Sequence, residues 1–152
     1  MPSSPRTEEA AMAAEGGLEE GLPGGCHCGA VRYEARGEPF HATICHCADC
    51  RRVAGAPVVA WFTVRRADFH VMRGTMRRYA SSARAERGFC GDCGTPITFQ
   101  AHDLPDEIDV ATATLDDPSA VPPQDHTRVA SGVPWAAPCD GLPSHRGARP
   151  EG

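Results

Sequence analysis

The sequence predicts an all-β domain of small antiparallel sheets, and three observations carry that expectation. Short runs rich in β-branched and aromatic residues recur at hairpin intervals. Glycine-containing turns separate them. Seven of the eight cysteines fall into three tight clusters, Cys26 with Cys28, Cys45 with Cys47 and Cys50, and Cys90 with Cys93.

Taken in order, residues 1–21 are mostly Ala, Glu, Gly and Ser, too poor in large apolar groups to pack, and read as an acidic, disordered tail. The domain is expected over residues 22–143, with a second disordered tail at 144–152. Gly24, Gly25 and Gly29 surround Cys26 and Cys28, and supply the backbone freedom to turn two sulfurs onto one point. Residues 31–35 alternate apolar and polar, as a half-buried strand does. Residues 40–45 read as the strand that delivers the cysteine triplet, and 48–53 as a short helix behind it. Its N-terminal dipole favours thiolate at Cys47 and Cys50.

Residues 57–64, with Trp61 and Phe62, are the most apolar run and the expected core strand; Trp61 is also a candidate wall of a substrate pocket. Further strands are expected at 69–72, 76–80, 84–89, 95–100 and 108–114, the last stopped by Asp116, Asp117 and Pro118. Beyond residue 119 proline and glycine dominate, and Trp135 is the expected anchor of that stretch.

The cysteine spacing suits metal better than disulfides. Cys-x-Cys and Cys-x-x-Cys pairs can both face one ion from a tight turn, whereas a bridge within either spacing would be strained. A structural zinc site takes four protein ligands, and a catalytic one keeps three with an open position. Two pairs and one triplet supply one of each. Cys26, Cys28, Cys90 and Cys93 are therefore assigned to a structural zinc, and Cys45, Cys47 and Cys50 to an open, catalytic zinc. A partition that adds His46 or Cys139 to the triplet stays open. A secreted disulfide framework lacks its export signal here, and a thioredoxin-like pair at Cys90 and Cys93 lacks the surrounding βαβ pattern.

Composition narrows the function classes. All 15 basic residues are arginine, so Schiff-base and lysine-base mechanisms are excluded. The net charge of −5 owes much to Glu8, Glu9, Glu15, Glu19 and Glu20 near the start, and a near-neutral remainder disfavours nucleic acid as a partner. No run of about 18 apolar residues marks a membrane span. Eight cysteines without a signal-peptide pattern point to the reducing cytoplasm.

The runs Gly25-Cys26-His27-Cys28-Gly29, Cys45-His46-Cys47-Ala48-Asp49-Cys50-Arg51-Arg52 followed by Gly55-Ala56-Pro57, and Arg87-Gly88-Phe89-Cys90-Gly91-Asp92-Cys93-Gly94-Thr95-Pro96 resemble the glutathione-dependent formaldehyde-activating enzyme family, which includes centromere-protein-V-like proteins. Leu115-Asp116-Asp117-Pro118 and Pro134-Trp135 fit it as well. The resemblance implies an Mss4-like fold and the same partition of zinc ligands. It also implies carbon–sulfur lyase or adduct-forming chemistry on glutathione, as co-substrate, and formaldehyde or a related small aldehyde. The expected partner is then a small-molecule thiol adduct.

Three thiolates on Zn²⁺ leave a formal charge of −1, a weak Lewis acid better suited to holding a sulfur than to activating water. His46, Asp49 and His70 are candidates for moving the proton, and Arg51, Arg52 and Arg87 for pairing glutathione carboxylates. The rival reading is a non-catalytic zinc-binding module that engages protein or nucleic acid through its arginine doublets.

Overall fold

The computed structural model describes residues 20–150; the expected acidic tail at 1–21 falls almost wholly outside them. Among the described residues, ten strands form two sheets and one short helix lies beside them. The smaller sheet is antiparallel and holds β1 (Leu22–Gly25), β2 (Arg32–Ala35) and β5 (Phe69–Arg73), in the order β1-β2-β5. The larger contains β3 (Phe40–Cys45), β4 (Val59–Arg65), β6 (Met76–Ser82), β7 (Ala85–Cys90), β8 (Pro96–Ala101), β9 (Glu107–Ala111) and β10 (Asp125–Thr127). Its order is β10-β3-β4-β9-β8-β7-β6, antiparallel throughout except where β10 runs parallel to β3. The predicted all-β, largely antiparallel architecture is the one observed.

Side-chain alternation gives the larger sheet two working faces. One carries Phe62, Val64, Ile97, Ile108 and Val110, which pack with Leu22, Val31, Tyr33, Ala35 and Phe69 of the smaller sheet into the main core. The opposite face carries Trp61 and Ala111, which pack with Cys45 and Cys50 into a second cluster beside Phe99. The two cysteine groups therefore sit on different sides of one sheet. A single alternating strand, β4, divides its residues between them, as Trp61 and Phe62 show.

The helix α1 (Ala48–Ala54) follows β3 closely and ends where Gly55 takes a left-handed φ of 61°. The sequence reading differs from the structure at several places. Residues 112–114, expected to continue a strand, close instead into a 3-10 turn, because Leu115 N–H bonds back to the Thr112 carbonyl at 3.1 Å. The short strands β1 and β10 carry proline, glycine or polar residues and have no alternation to reveal them. Trp135, the expected anchor, is 76% exposed and does not serve as one.

The segment 143–149 lies along β10. His126 N–H bonds to Pro143 O and His145 N–H to His126 O, both at 2.8 Å. Arg149 reaches back to buried Asp125 with Nε to Oδ2 at 2.5 Å, and to the Ala42 carbonyl at 3.2 Å.

Candidate metal centre and its surroundings

The first group is assembled from two hairpins. Cys26 and Cys28 follow β1 in the smaller sheet, while Cys90 ends β7 and Cys93 lies in the turn to β8 of the larger. Their four sulfurs lie within 4.8 Å of one another. Cys26 and Cys28 Sγ are 3.6 Å apart, and Cys28 and Cys90 Sγ 3.8 Å. Tetrahedral zinc with bonds of about 2.3 Å requires sulfurs about 3.8 Å apart, so this donor set fits the ion.

Both turns are shaped alike. Gly29 and Gly94 adopt φ of 78° and 79°, and their N–H groups bond to the carbonyls of Cys26 and Cys90. Val31 N–H donates to Cys26 Sγ at 3.2 Å. Thr95 Oγ1 lies 3.2 Å from Cys93 Sγ, and that bond, with backbone N–H donors, holds the Cys93 thiol down to about 5.

The second group comes from one local turn. Cys45 closes β3, Cys47 is the N-cap of α1, and Cys50 lies in the helix; their sulfurs are also within 4.8 Å of one another. Cys50 N–H donates to Cys47 Sγ at 3.3 Å, so a potential metal ligand also caps the helix. Hydrogen bonds from the Cys45 and Cys50 thiols, with the backbone N–H groups of Cys50 and Asp49, hold the Cys47 thiol down to about 2. Cys45 is pushed up by the same sharing and by burial. One thiolate is thus prepared by the turn itself. Cys45 and Cys50 are buried and Cys47 is half-buried, which makes it the most exposed of the three.

Among the described residues no fourth His, Cys, Asp or Glu atom joins this group. His46, which the sequence left as a possible fourth ligand, is 1% exposed, and its Nε2 is 2.8 Å from His126 Nδ1. His126 Nε2 in turn meets the Asp140 carboxylate at 2.9 and 3.0 Å. An ionised Asp140 accepts a hydrogen bond from Nε2–H of His126, which leaves Nδ1 to accept from Nε2–H of His46. Burial holds the His46 imidazole below its ordinary range, which keeps it neutral. Cys139, the other candidate, is exposed.

The remaining sequence candidates separate by position. Asp49 is exposed in the first turn of α1, and His70 lies on β5 of the smaller sheet, opposite Glu34. Arg52 is exposed, whereas Arg51 has a buried Nη1 without a partner. Arg87 is 5% exposed, with Nη2 at 3.9 Å from Cys50 Sγ. Trp61 is 7% exposed and packs beside the triplet, its ring 6.4 Å from that of Phe99.

Sequence reasoning passed over His126, Asp140 and Phe99. His126 is 80 residues from His46 in sequence, and only the parallel pairing of β10 with β3 brings them together.

The profile of the family described as glutathione-dependent formaldehyde-activating enzyme matches residues 21–131. The chain is 34% identical over 76 residues to an uncharacterized lyase of Schizosaccharomyces pombe, covering 50% of this chain and 55% of that protein. It is 28% identical over 111 residues to a putative glutathione-dependent formaldehyde-activating enzyme of Halomonas elongata, covering 68% and 71%. Thus it spans little more than half the length of the fission-yeast relative. A crystal structure of a Rhodobacter sphaeroides protein superimposes with a TM-score of 0.50 at 35% identity, over 62% of this chain and 88% of that one. The family match takes in all ten strands and all three cysteine clusters, and the chain belongs to the glutathione-dependent formaldehyde-activating enzyme family.

Proposed function

We propose that residues 22–143 form a zinc-dependent carbon–sulfur lyase domain acting on adducts of glutathione with formaldehyde or a related small aldehyde. Cys45, Cys47 and Cys50 would hold the catalytic zinc, and Cys26, Cys28, Cys90 and Cys93 a structural one. The observation that carries this reading is the triplet itself: three sulfurs within 4.8 Å of one another, with no fourth protein ligand among the described residues. The names of the fission-yeast and Halomonas relatives point to the same class.

When bound, the triplet zinc would offer one free position to a substrate sulfur and stabilise it as thiolate. The chain's own residues set up that position. Half-buried Cys47 is the most exposed of the three ligands, while Trp61 and Phe99 give the second cluster an apolar wall. The His126–Asp140 pair fixes the ring of His46, and with it the turn between Cys45 and Cys47. In the cleavage direction, the carbon–sulfur bond of a hydroxymethyl thioether breaks with its electron pair on sulfur. The hydroxyl oxygen forms the carbonyl and releases its proton, and formation runs the same bonds in reverse.

Turnover of a panel of glutathione adducts by wild type and Cys47→Ser tests the proposal. A loss of at least about a hundredfold, equivalent to ~2.7 kcal/mol of barrier, is expected for the variant. Undiminished turnover would exclude a role for the triplet. No turnover by wild type, together with salt-sensitive retention on nucleic acid, would favour the binding-module alternative.

A further inference from the structure

Arg87 is the only arginine among the described residues that is buried, at 5% exposure, and it joins none of their ion pairs. Its Nε and Nη1 have no hydrogen-bond partner. Nη2 points at Cys50 Sγ, 3.9 Å away, and the guanidinium carbon lies 4.8 Å from the centre of the Phe99 ring. The register places Arg87, Phe99, Asp109 and Thr63 in one row across the sheet, on the face that carries the triplet. Asp109 is the carboxylate of that row. Its hydrogen-bond donor is Thr63 Oγ1, 2.6 Å from Oδ1, burial pushes its acid up against the opposing pull of that bond and of the Arg87 charge, and it forms no ion pair with Arg87.

A guanidinium cannot shed its proton to escape burial, and an uncompensated buried charge is costly. Three thiolates around a divalent ion carry a formal charge of −1, and Cys50 is the one of them that Arg87 touches. We propose that Arg87 is the counter-charge of the Cys45, Cys47 and Cys50 metal site, a positioning residue that stabilises the loaded site and favours an anionic sulfur as its next ligand. This rests on the reading of the triplet as a metal site. Loading a divalent ion turns the Cys50 thiol that Arg87 touches into a thiolate and leaves the three sulfurs and the ion at −1, so a fixed positive charge beside Cys50 favours the loaded state. Addition of a thiolate takes the site to −2, and the same charge favours that ligand over a neutral one.

The test uses the full chain loaded with cobalt(II) during expression. Chelator competition is followed by metal content and by the sulfur-to-cobalt charge-transfer band. Wild type is expected to hold two cobalt ions. Arg87→Met should release the triplet ion at about tenfold lower chelator concentration, with its charge-transfer band moved to longer wavelength as the N–H donor to sulfur is lost. Arg87→Lys, which keeps the charge, should restore retention to within about threefold of wild type. Retention at the four-cysteine group reports that each variant is folded. If Arg87→Met loses that ion as well, Arg87→Gln, which keeps a donor and drops the charge, should show the same tenfold loss. Two ions held equally tightly by wild type and the neutral variants, with an unmoved band, would overturn this inference alone. One ion in wild type would overturn it together with the reading of the triplet.

Discussion

His46 shows how much one side chain can be asked to do between two cysteines. Its ring is buried and bonded to His126, which Asp140 orients. Because burial lowers its folded-state pKa, the unfolded chain binds the proton more readily. The neutral ring's contribution is fully present above about pH 6.5 and is lost as pH falls from there through the folded pKa. Wild type should therefore lose more melting temperature than His46→Gln between pH 8 and pH 6. Both proteins lose thiolate ligation alike on acidification, so the difference between them isolates His46; parallel curves would contradict the assignment. In the main core, Phe62 is fully buried, and Phe62→Ala should cost about 3–5 kcal/mol in denaturant unfolding. The cysteines were legible because ligand spacing is local. Arg87 could be named as a candidate but not its neighbour Cys50, and His126 could not be named at all, since these contacts join residues 37 and 80 apart in the chain.

At the scale of elements, the turns decide what the strands can reach. Gly74 lies between β5 of the smaller sheet and β6 of the larger, at φ 76°. A Cβ there would stand 2.1 Å from the Ala30 carbonyl oxygen, which is backbone and cannot move aside. Gly55 ends α1 at a similar φ with nothing within 4 Å of a built Cβ. Gly55→Ala should then cost only the left-handed strain, about 1 kcal/mol, and Gly74→Ala about 3 kcal/mol or more. Equal losses in denaturant unfolding would show that the Ala30 contact yields. The helix, the long alternating strands and both cysteine turns could be read from sequence because periodicity and turn chemistry are local properties. β10 could not, since its three residues Asp125, His126 and Thr127 are all polar and are buried by pairing with β3 and by the 143–149 segment laid along them.

Across the whole molecule, the two cysteine groups divide the labour by position. Cys26 and Cys28 join the smaller sheet to Cys90 and Cys93 of the larger, so an ion there would tie the sheets together. The triplet belongs to one turn on the opposite face and ties nothing distant. Loss of metal from the four-cysteine group should therefore unfold the domain, whereas loss from the triplet should leave it folded. No helix among the described residues is long and apolar enough to cross a membrane. The measurement that most directly tests the account is zinc content per chain, by mass spectrometry of metals, in wild type and in Cys45→Ala/Cys47→Ala/Cys50→Ala, with folding followed by circular dichroism. The account predicts two zinc ions falling to one in a chain that keeps its fold. One zinc in both proteins, or a triple variant that unfolds, would contradict the separate open site on which the proposed chemistry depends.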